Sequence, residues 1–139
     1  MVRIATLTIL FLMMVKPAAA NDMMEYLKRA YAWREVSALC LNKAPEYQED
    51  WSLMVQLHDK QIMLWQQNIR DELKASMAPE GRASMWFDQL DNLAKVWAPN
   101  QVKGMECNKA DLEFLANRMT QDPMFFTAME LIRLEKGGR

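Results

Sequence analysis

The chain has 139 residues, 25% of them charged, a formal charge of −1 at neutral pH and two cysteines. Its basic residues are interspersed with acids, which leaves no electrostatic footprint for nucleic acid or for an anionic membrane surface. The one long apolar run lies at the N-terminus, and no later stretch reads as a membrane span.

Met1-Val2-Arg3 precedes that run, which extends from Ile4 to Val15 and is followed by Lys16-Pro17-Ala18-Ala19-Ala20. A positive start, a short apolar segment and an A-x-A site form the layout of a secretory signal peptide, with cleavage expected to leave Asn21 first. An uncleaved anchor is the alternative, but the run is shorter than the roughly 20 residues a span requires and has a charge at each end. No cysteine follows the small residues, so no lipid anchor is expected. Loss of Arg3 and Lys16 with the leader takes the formal charge from −1 to −3. The expected layout is a signal peptide over 1–20 and a single helical domain over 21–139, located in the periplasm or secreted. An even cysteine count in an exported chain favours a Cys40–Cys107 disulfide over two free thiols, and the spacing excludes a C-x-x-C redox pair.

Asp22 is placed to cap a first helix running to about Asn42, with Pro45 marking its end. Arg34 interrupts the apolar face of that helix and is expected to be paired or to reach past the core edge. A second, long helix is predicted from Glu49 to about Ala78, where Pro79 and Gly81 interrupt it. At helical spacing Trp51, Met54, Val55, His58, Ile62, Trp65, Ile69 and Leu73 form its main stripe. Leu53, Leu57 and Leu64 fall on nearly the opposite side. A third helix, about Arg82 to Trp97, turns Ala83, Trp86, Phe87, Leu90, Leu93, Ala94 and Trp97 to one side and reads as core-facing, followed by a loop over 99–104. Asn108 and Asp111 resemble a capping box for a fourth helix through about Met119. Asp122-Pro123 reads as the N-cap and first position of a fifth, with Gly137-Gly138 ending it. No window alternates with period two, so the expected fold class is all-α: a bundle of four or five helices with one disulfide.

Few groups here carry chemistry. His58 is the only histidine, and ten of the thirteen methionines lie outside the leader. Together they raise a small exported enzyme or a haem or copper carrier as the alternative function, against the plainer roles of a hydrogen-bonded core histidine and flexible core filler. Ser37, Ser52, Ser76 and Ser84 lack a nucleophile-elbow context, and the acidic pairs Glu49-Asp50 and Asp71-Glu72 diverge as helix neighbours do. No catalytic residue, metal ligand or cofactor site is assigned, and an enzyme is not expected.

The layout of a small exported all-α domain, with one disulfide joining the end of its first helix to the start of a late one, resembles the secretion pilotins. It is also similar to the small periplasmic acid-protective chaperones. The pilotin likeness implies a partner segment held between helices, although the lipid-attachment cysteine of typical pilotins is missing. The residues themselves lead to the same class. Leu53, Leu57 and Leu64, with Lys60 and Gln61 as a polar rim and Phe126 and Leu134 as an extension, are the candidate face for an envelope protein, a peptide helix or a second copy of the chain.

Overall fold

A computed structural model describes residues 2–77, 79 and 81–137, with side chains from residue 22 onward. The side chains of the leader and its Ala18-Ala19-Ala20 site lie outside the described residues. Five α-helices and no strand occur among those described: α1 (Val2–Lys43), α2 (Gln48–Ala75), α3 (Gly81–Lys103), α4 (Lys109–Met119) and α5 (Phe125–Glu135). A single 3-10 turn over Pro45–Tyr47 links α1 to α2, so the all-α expectation holds.

Several boundaries differ from the sequence reading, among them the end of α2, which stops at Ala75 and not at about Ala78. In the uncleaved chain Asp22 lies inside α1, which runs through it without a break. The third helix does not stop at Trp97 but continues through Pro99 to Lys103. Proline removes one backbone donor, yet the turn it sits in is held by its neighbours: Ala98 and Val102 are buried. The Lys43 ammonium then caps the end of α3, donating to the Val102 and Met105 carbonyls at 3.0 and 2.5 Å. The Val102 carbonyl also accepts the Met105 N–H at 3.0 Å, and a cation is favoured at a helix C-terminus. The fifth helix starts at Phe125 rather than at Pro123. Asp122 still holds the turn before it, its carboxylate accepting the Met124 N–H at 2.8 Å and its carbonyl the Phe125 N–H at 3.0 Å.

The core comes in two parts, and their membership gives the helix directions. Val36 and Cys40 of α1 pack with Trp51, Met54 and Leu57 of α2, with Ala98 and Val102 of α3, and with Leu115, Ala128 and Ile132. Leu27 and Tyr31 of α1 pack with Trp65 and Ile69 of α2 and with Ala83, Phe87 and Ala94 of α3. Early α1 therefore meets late α2, and the two run antiparallel, with α3 alongside α1 in the same sense. α5 lies against α2.

The Cys40–Cys107 bond closes a separation of 67 residues with the two Cα atoms 5.3 Å apart. A crosslink over that length stabilises by about 4 kcal/mol in the chain-entropy account. Cys107 also takes a left-handed backbone, φ +56°, which a residue with a Cβ adopts at a cost of about 1–2 kcal/mol. Its other groups are all engaged: the N–H donates to the Asp111 carboxylate at 2.8 Å, and the carbonyl accepts from Trp51 Nε1 at 2.9 Å. Asn108 Oδ1 in turn accepts the Asp111 N–H at 3.1 Å, so the predicted cap of α4 is present.

Candidate functional site

The proposed leucine face does not form a single patch. Leu57 is only 5% exposed and belongs to the disulfide-end core, and Leu64 packs against the same core. The reason is α5, which packs on α2 and brings Ala128 and Ile132 into the core that contains Leu57 and that Leu64 packs against. Leu53, Phe126 and Leu134 remain exposed. The expected rim is also redistributed. Lys60 pairs with Glu135 of α5, whereas Gln61 is fully buried.

A different apolar surface lies between α1 and α3. Leu90, Leu93, Ala94 and Trp97 of α3 face Ala32 and Trp33 of α1 across a groove of about 590 Å³. Leu93 is 63% and Trp97 40% exposed, and the adjacent Val96 is exposed as well. α3 buries a narrow line, Ala83, Phe87, Ala94, Ala98 and Val102, and packs chiefly on α1, so the large residues beside that line stay open. The expectation of a plain core-facing helix fails there. Trp33 anchors the end of the groove, edge-on to Trp97 at 5.3 Å and to Phe114 of α4 at 6.2 Å. The Arg118 guanidinium stands 5.6 Å from the Trp33 ring centre and 5.2 Å from that of Phe114, within cation–π range. Lys28, Arg29 and Glu25 border the groove, which with Arg118 makes its surroundings mainly basic.

Behind Trp33 a small cavity of about 50 Å³ opens between α1, α2 and α4, walled in part by Arg29, His58, Gln61, Arg118 and Asp122. Trp33 and Arg29 belong to both hollows. His58 is buried, with its Nδ1 2.8 Å from the Met54 carbonyl. That carbonyl can only accept, so Nδ1 carries the proton and Nε2 keeps its lone pair. Burial holds the ring neutral, with its pKa lowered to about 4, the Met54 carbonyl opposing the shift and Arg34 adding to it. Arg34 itself pairs with Asp59 at 2.9 Å and Glu35 at 3.1 Å, as its place on the α1 face suggested. Asp122 accepts Trp65 Nε1 at 3.0 Å on each oxygen; burial raises its pKa against these hydrogen bonds and the charge of Arg29.

His58 and Met119 share this cavity, so the haem or copper alternative has one histidine and one thioether in reach of each other. A volume of about 50 Å³ is far too small for a porphyrin. Among the described residues no three His, Cys, Asp or Glu side chains gather as a metal set. Ser37 donates to the Trp33 carbonyl at 2.8 Å, a helix-internal bond that leaves it no base. The chain matches no protein-family profile, and no curated protein or solved structure is significantly similar to it.

Sequence reasoning placed Gln61 at an exposed rim and missed its burial, and it missed Arg118 and the open flank of α3. The burial of Gln61 was recoverable, since four residues after Leu57 and four before Trp65 it lies between the two apolar stripes of α2. The alanines at 83, 94 and 98 were the signal for α3, because small residues mark the line along which helices approach closely.

Proposed function

We propose that this chain is an exported, non-catalytic binding or assembly-accessory protein that holds an amphipathic helix of a partner protein in the groove between α1 and α3. The observation that carries this reading is the exposure of Leu93 and Trp97 beside Trp33, in a groove of about 590 Å³. Apolar side chains left open together, within a concave surface of that size, mark a binding site more often than a solvated face. Lys28 and Arg29 at the groove, with Arg118 at the adjoining cavity, outnumber Glu25 and Asp122 and favour a helix whose apolar stripe is flanked by acids. The leader-like N-terminus and the disulfide support a periplasmic or secreted setting, where oxidised cysteines persist.

A photo-activatable phenylalanine analogue installed at Leu93 is expected to crosslink the protein in cells to one discrete species, attached through an acidic amphipathic segment. The same analogue at the exposed Leu53 serves as the comparison. Crosslinks from position 53 with none from 93 would move the binding face to α2 and α5 and overturn the reading.

A further inference from the structure

Gln61 is 1% exposed, and its Nε2 is the one fully buried side-chain polar atom among the described residues without a hydrogen-bond partner. An unmade bond on a buried amide costs about 1–3 kcal/mol, so such a donor points to something that supplies an acceptor. Gln61 lines the small cavity together with Arg29 and Arg118, neither of which forms an ion pair among the described residues. Both lean on aromatic faces instead, Arg29 on Tyr26 and Arg118 on Trp33 and Phe114. Asp122 is the single carboxylate on the wall, and its oxygens already serve Trp65 and Met124. With His58 neutral, the wall holds one positive charge more than it balances.

We propose that this cavity is a receptor for a carboxylate group, bound by Gln61 Nε2 with Arg29 and Arg118. A volume of about 50 Å³ is room for roughly three or four waters, enough for a carboxylate head and little else. Guanidinium groups match that head with paired N–H bonds. Asp122 selects against a dianion such as phosphate, whose second charge it would repel. Water alone would satisfy the amide but would leave the excess charge on the wall. Because Trp33 and Arg29 also border the groove, the favoured source is an acidic side chain of the segment proposed to lie there. For that source the inference rests on the groove reading; for the carboxylate chemistry it does not.

The test is an NMR titration of the oxidised, ¹⁵N-labelled protein with sodium acetate, against sodium chloride at matched ionic strength. Acetate is expected to give saturable shifts of the Gln61 Nε2 protons and of Arg118 Nε–H, and chloride none. Arg118→Gln, a change at an exposed position, is expected to weaken acetate at least about tenfold, as loss of a charged hydrogen bond does. Gln61→Leu, similar in shape, should abolish the saturable shift at Arg118 while the rest of the spectrum stays dispersed. Shifts that never saturate, that chloride reproduces, or that Arg118→Gln leaves unchanged would overturn the site. Acetate binding without a crosslink at Leu93 would keep the receptor and remove the groove as its source, so the two failures are distinguishable.

Discussion

The two ends of the bundle differ in how completely their polar groups are used. Around Cys107 every backbone group is engaged, the side chain is crosslinked, and the indole of Trp51 closes the site with both its bulk and its N–H. Around Trp33 a buried amide lacks a partner, two arginines form no ion pair among the described residues, and large apolar side chains stand open. The lesson is a division of labour along one set of helices. Interactions at the disulfide end are spent inside the fold, while those at the Trp33 end are left available to something outside it.

Trp51→Ala is the strongest way to break that comparison. Trp51 is fully buried, and the change should lower stability by about 3–5 kcal/mol, read as the urea unfolding midpoint of the oxidised protein. The effect includes the loss of the bond to the Cys107 carbonyl, which leaves a left-handed residue less well held. A shift under about 1 kcal/mol, as ordinary surface changes give, would mean that the disulfide end is not the scaffold.

His58, at the junction of the two ends, predicts the next largest effect. The unfolded chain takes up a proton on this ring below about pH 6.5, whereas the folded ring, with a pKa of about 4, resists until well below that. Stability should therefore be complete above pH 6.5 and fall by roughly 3 kcal/mol as the pH drops to 4. Asp122 works in the opposite sense, since burial raises its pKa and folding then favours its protonated form. The measurement is the urea midpoint against pH, with His58→Leu expected to flatten the slope over this window. An equal slope in that variant would assign the acid sensitivity to carboxylates elsewhere.

The smallest expected effect is the sharpest for the open end. Leu93→Asp should change stability by less than about 0.5 kcal/mol, because the side chain is mostly in solvent, while removing crosslinking to the partner from a probe at Trp97. Loss of several kcal/mol would show Leu93 to be part of the fold and close the groove as a candidate.

Much of the architecture was legible from local pattern. Helical spacing located five helices, the Asn108 and Asp111 pair marked the start of α4, and the even cysteine count in a chain with a leader-like start pointed to Cys40 and Cys107. These features depend on residues near one another in sequence or on simple chemistry, so one dimension suffices for them. Pro99 misled because its penalty is local, whereas the burial of Ala98 and Val102 that outweighs it comes from α1 and the disulfide-end core.

The proposed binding surface was not legible in this way. Leu57 and Leu93 are both leucines on amphipathic helices, and nothing within their own helices tells them apart. Leu57 is buried because α5 folds back onto α2, and Leu93 is exposed because no described element covers that flank of α3. Likewise Gln61, Arg29 and Arg118 lie on three different helices and become one cavity wall only when those helices pack. The sequence by itself determined which faces are apolar and where each helix begins to pay for its ends; only the tertiary structure decided which apolar faces meet each other, because exposure is a property of the neighbour and not of the residue.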